Sequence, residues 1–99
     1  MRELGDKVAI IYKANVVFGT IIEIFSKKVF DESLFGYRIQ SADATVYSHT
    51  QQTSLNTATP RLLISKESEV AEETLFTILD ESAGSEIFKI NNQEKAKYA

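Results

Sequence analysis

Between positions 5 and 24 the chain reads GDKVAIIYKANVVFGTIIEI, two apolar runs separated only by a short break at Ala14-Asn15. On the two-residue period of a strand, Val8, Ile10 and Tyr12 share one face of the first run, yet Ala9 and Ile11 on the opposite face are apolar too. Both faces of this segment therefore need cover, which a flat sheet with one wet face does not supply. In the second run Val16, Phe18, Thr20, Ile22 and Ile24 fall on one side, with Val17, Gly19, Ile21, Glu23 and Phe25 on the other. The density of β-branched and aromatic residues favours strands over helix. Gly19, in the middle of a strand, permits a bulge or a sharp bend. The expectation is a curved hairpin that coils around a small core.

The rest of the chain extends this β-rich body. Asp31 to Gly36 (DESLFG) has the composition of a connecting turn, and Gly36 to Ser41 (GYRIQS) alternates as a third strand. Residues 45–51 read as a fourth strand and Arg61 to Ser65 (RLLIS) as a fifth; the polar stretch QQTSLNTAT between them, closed by Pro60, reads as a surface loop or an edge strand. Then the period changes. Ala71, Leu75, Ile78 and Leu79 recur at 3.6-residue spacing, which predicts an amphipathic helix over about residues 68–83, with Ser68 as N-cap and Gly84 as its stop. Ser85 to Ile90 is short and apolar enough for a last strand, and residues 92–99 read as a frayed tail. The predicted fold class is α+β: a strongly bent antiparallel sheet or small barrel of about five strands with one helix near the C-terminus, as a single domain over 1–91. Val8, Ile10, Phe18, Ile22, Ile39, Leu75 and Ile78 form the predicted core.

Gly5-Asp6-Lys7-Val8 at the head of a strand, followed by Gly19-Thr20-Ile21 in the next, resembles the opening of SH3-like small β-barrels of the KOW and Tudor kind over residues 4–55. The resemblance implies a small closed barrel. The break at Ala14-Asn15 is much shorter than the long first loop that many such domains use for binding, so no binding residue is carried over from the family.

Ninety-nine residues suffice for one core without a disulfide or a metal. With no cysteine, the chain has no thiolate chemistry and suits a reducing, cytoplasmic setting; no run approaches the roughly 20 apolar residues of a membrane span. Charge is segregated along the chain. Residues 1–66 carry eight Lys/Arg against six acids, residues 67–86 carry seven acids and no base, and the remainder holds three lysines against one glutamate. The middle block predicts an acidic sector that would repel nucleic acid and attract a basic partner.

Little in the sequence has the pattern of catalysis. His49 is the single histidine, expected on the solvent side of a strand with Ser48 facing the other way. No ligand spacing for a metal and no glycine-rich phosphate loop is present, so no cofactor is implied. The expected function is a non-catalytic protein-interaction module. On the predicted helix Glu69, Glu73 and Asp80 share a polar face with Phe76 at its border, a surface suited to a protein with a basic groove. Acids at Asp80-Glu81 would oppose the dipole at that helix's end, which sharpens this reading. The second reading is nucleic-acid binding, with Lys7, Lys13, Lys27, Lys28 and Arg38 on phosphates and Tyr12, Tyr37 or Tyr47 as stacking platforms.

Overall fold

The computed structural model describes residues 2–56 and 59–97. Five main strands, β1 (Lys7–Tyr12), β2 (Asn15–Val29), β3 (Glu32–Ser41), β4 (Val46–Ser54) and β5 (Arg61–Lys66), follow one another as an antiparallel meander. Two short strands, β6 (Glu72–Thr74) and β7 (Leu79–Asp80), and a helix, α1 (Glu81–Lys97), complete the chain. The sheet has seven strands rather than about five, in the order β6-β5-β4-β3-β2-β1-β7.

That order forces the sheet to curl. β6 and β7 stand at opposite edges, six strand spacings apart, or about 29 Å if the sheet were flat. Only residues 75–78 separate them, and five peptide steps reach at most about 18 Å. The sheet therefore wraps into a half-barrel, and residues 75–78 form a strap across its opening. Ile78 on the strap is buried with Val8, Ile10, Tyr12, Ile21, Ile39, Tyr47 and Ile64 in one cluster on the concave side. Tyr12 of β1 and Tyr47 of β4 meet edge to face across this interior, with ring centroids 5.3 Å apart.

The two faces of β1 find their cover in different ways. Val8, Ile10 and Tyr12 point inward to the core, whereas Ala9 lies under α1 on the outside and is fully buried. Gly84 is why the helix can sit there: a Cβ at this position would collide with the Ala9 Cβ and crowd the Phe18 ring at 3.2 Å. One turn further along, Phe88 meets Phe18 edge to face at 6.2 Å. Gly84 is thus a point of close approach inside the helix, not the stop that the sequence suggests.

The helix expected over 68–83 does not form, and the helix instead occupies 81–97, including positions 92–97 where a tail was expected and 85–90 where a strand was expected. Residues 98 and 99 lie outside the described residues. The reason is tertiary. The β5 edge at Leu62, Leu63 and Ile64 takes Thr74, Glu73 and Glu72 as a ladder, and β1 takes Asp80 and Leu79 at its own edge. Strand pairing at both edges outweighs a four-residue apolar stripe, and Leu75, assigned to the core by that stripe, is 94% exposed. Asp80 and Glu81 now stand at the start of a helix, where acids complement the dipole.

Turn chemistry sets the hairpins. Lys13 and Ala14 both adopt left-handed conformations (φ 47° and 64°), as a two-residue type I′ connection requires, and the Asn15 amide donates to the Lys13 carbonyl at 3.1 Å. Gly19 opposes Ser41 with its missing side chain facing Ile39 Cγ2, which a Cβ would approach to 2.6 Å. The bulge itself falls two to three residues later, between Ile21 and Glu23. It shifts the alternation so that Ile21 and Ile24 both face the core and Glu23 faces out; Ile22, expected inside, is exposed because it shares the outer face of Phe18 and Thr20. Beyond the bulge β2, β3 and β4 run past the end of β1, with β5 still beside β4 as far as Gln52, and their last residues form a three-stranded finger, because Asp31 to Gly36 is not a loop: β3 begins at Glu32 and pairs with β4 as far as Ser54. The molecule accordingly measures 51 × 27 × 27 Å. The stretch 51–59 supplies the end of β4 and a turn at Leu55-Asn56; Thr57 and Ala58 lie outside the described residues.

Candidate interaction surface

The four residues expected to share a helix face are dispersed. Glu69 lies in the turn between β5 and β6, Glu73 on β6, Phe76 on the strap and Asp80 on β7. Each acid is matched to a base from the first two thirds of the chain: Glu69 with Lys13 at 3.5 Å, Glu73 with Arg61, and Asp80 with Arg2 at 3.0 Å. Glu67 likewise meets Arg38 at 2.7 Å. Four acids of the block thus meet bases distant in sequence in surface ion pairs, and the expected acidic helix face does not exist. The Tyr12 hydroxyl donates to Glu69, which raises the Tyr12 pKa and, with Lys13 nearby, lowers that of Glu69. Lys13 is raised in turn, first by its contact with Tyr12 and then by the Glu69 charge.

Phe76 contributes its backbone. His49, expected to face solvent, is buried at 6% exposure, and its Nε2 lies 3.0 Å from the Phe76 carbonyl. That geometry makes the ring an Nε2–H donor holding the strap from beneath. Burial pushes the His49 pKa down, partly offset by this hydrogen bond, so the imidazole sits there neutral. Arg2 also holds the strap, donating to the Ile78 carbonyl at 2.7 Å. Ser48 is on the opposite face, as alternation requires. Sequence reasoning missed His49's role because the strap that buries it was read as helix.

The residues of the nucleic-acid reading are also largely occupied. Tyr12 and Tyr47 are each only 8% exposed, and Tyr37 packs against the core and edge to face on Phe35. Arg38 is shared by Glu23 and Glu67, and Lys7 donates to the Thr20 hydroxyl. Lys27 and Lys28, on the finger, take part in none of the ion pairs among the described residues.

Exposed apolar side chains stand at Val70 before β6, at Leu75 and Phe76 on the strap, and on the finger. At its tip Phe30 is 94% exposed and in a left-handed conformation, φ 54°. For a bulky side chain that conformation costs roughly 1 to 2 kcal/mol. The other non-glycine residues at positive φ are Lys13, Ala14, Ala44 and Ser68, small or polar side chains suited to turns. Leu55, 86% exposed, is brought beside the tip by its N–H donating to the Asp31 carbonyl at 3.2 Å, and Val29 is half exposed next to them. A recess of about 210 Å³ lined by Lys27, Val29, Leu34 and Gln52 adjoins the tip. The sequence signal was present in VFDES, a phenylalanine at a hairpin turn, but the turn itself was placed several residues too late.

Among the described residues no cluster of three His, Asp or Glu side chains is placed to hold a metal ion, and no helix is long and apolar enough to cross a membrane. No protein-family model, no curated protein and no solved structure matches this chain.

Proposed function

We propose that this chain is a non-catalytic protein-interaction module that meets its partner through the finger built from the far ends of β2, β3 and β4. The observation that carries the proposal is Phe30: an almost fully exposed aromatic ring on a left-handed residue, with Leu55 and Val29 beside it. Backbone strain and exposed apolar surface both count against the isolated chain, and a partner's apolar socket would offset both. Aromatic side chains presented at a tip are frequent anchors of interfaces. Lys27 and Lys28 flank the tip and supply charge for steering an encounter.

The test is co-purification from host extract with the wild-type chain and with Phe30→Asp and Leu55→Asp variants, alongside Glu73→Lys. Loss of the bound protein in the two tip variants and its retention in Glu73→Lys supports the reading. Retention in both tip variants, with loss in Glu73→Lys, refutes it.

A further inference from the structure

Past Ile21, β2 loses its neighbour on one side. The N-terminal turn ends the pairing there: Gly5 N–H donates to the Ile21 carbonyl at 2.9 Å and Ile21 N–H to the Asp6 carbonyl at 3.0 Å. The chain then leads away to Arg2, which is bound to Asp80 and the strap. From Glu23 to Val29, β2 is paired with β3 alone. An unpaired edge of this length is a template for another strand.

The side chains along that edge choose the strand. Ile24 packs on the core side, so Glu23, Phe25 and Lys27 share the convex face; Glu23 there meets Arg38, and the Phe25 ring lies over Gly36. The string Glu-x-Phe-x-Lys is its own complement. Antiparallel pairing with a second copy about a two-fold axis at Phe25 sets Glu23 opposite Lys27 of that copy, Lys27 opposite its Glu23, and Phe25 opposite Phe25. Moving the register by two residues toward the tip leaves Lys27 facing Phe25, and by four sets lysine against lysine. The two-fold register gives Lys27 the acid partner it lacks among the described residues. It also runs Val29 and Phe30 of each copy toward the other's N-terminal turn, where Leu4 is 64% exposed.

We infer that the unpaired β2 edges of two copies join in this register, making one continuous sheet of the two fingers. The inference rests on the finger being the contact surface and names a second copy of this chain as the partner.

The chain has no cysteine, so Phe25→Cys introduces the only thiol. Directly opposed residues of an antiparallel pair have Cα atoms about 4.5 to 5.5 Å apart, within disulfide range. Mild oxidation of the full chain should therefore yield a covalent dimer, while Asp43→Cys, at a turn on the far side of β3, should stay monomeric. In sedimentation the wild type should dimerise with concentration, and Lys27→Glu or Glu23→Lys alone should weaken the dimer by about tenfold or more, since two opposite-charge pairs become like-charge pairs. An equimolar mixture of those two variants should restore dimerisation as a heterodimer. Lys27→Glu breaks no ion pair among the described residues, so it remains informative even if Glu23→Lys is compromised by losing Arg38. A wild type that stays monomeric up to about 1 mM, or a dimer indifferent to both reversals, overturns the inference. If the wild type is monomeric but the Phe30→Asp variant still loses a different protein, the inference fails and the finger remains the contact surface; if Phe30→Asp loses nothing, both fail.

Discussion

The half-barrel and the finger share the strands β2, β3 and β4, yet they treat their surfaces differently. In the half-barrel the strap and core fill the concave side, and α1 covers the outer face of β1 and β2 at Ala9 and Phe18. The strap that closes it is fixed by a buried histidine, an arginine and Ile78. In the finger β2, β3 and β4 run on without strap or helix, with the β2 edge unpaired from Glu23 to Val29 and with Phe30 and Leu55 in water. The difference separates the part of the molecule that supplies folding free energy from the part free to meet another surface.

Mutations should divide along the same boundary. Ile39→Ala, at a fully buried position, should cost about 2 to 5 kcal/mol in urea unfolding, whereas Phe30→Ala should change stability by less than about 0.5 kcal/mol. Equal effects at the two positions would break the comparison. Gly84→Val should come next, at about 1 to 3 kcal/mol, because its side chain must push α1 away from Ala9; thermal melts that show no loss would place the helix elsewhere.

A smaller effect concerns the strap and pH. Burial holds His49 below the ordinary imidazole value of 6.5 in the folded state, so the unfolded chain binds the proton more readily. The stability contributed by the neutral ring is fully present above pH 6.5 and is lost as pH falls from there to the folded-state pKa. Urea midpoints measured downward from pH 7.5 should fall in that window for the wild type and lose that step in His49→Gln, whose amide can still donate to the Phe76 carbonyl. Smallest should be Glu73→Lys. Its pair with Arg61 is well exposed, and reversal should cost under about 1 kcal/mol, less at high salt.

Much of the half-barrel was legible because it follows from alternation. Val8, Ile10 and Ile39 are buried as their period demands, and the need for cover on both faces of β1 is met by two different elements. The helix was misplaced because a 3.6-residue stripe competed with ladder bonds from β5 and β1, residues distant in sequence whose edges cannot be located from local pattern. Gly84 looks like a stop in sequence and is a contact in space, since its meaning depends on Ala9, seventy-five residues earlier. The acidic block was hard to place for the same reason: its partners Lys13, Arg38 and Arg61 lie on a turn and on strands distant in sequence. For the finger, polar alternation in ESLFG and QQTS masked a strand extension set by pairing register, and a one-residue bulge at Ile22 shifted which side chains face inward.

The claim that the finger is the contact surface is tested most directly by a photoreactive residue placed at position 30, with a second chain carrying it at position 76 on the strap, each irradiated in host cells. The account predicts a discrete adduct at position 30, with a second copy or another protein, and none at position 76. Adducts formed at position 76 and not at position 30 would contradict it.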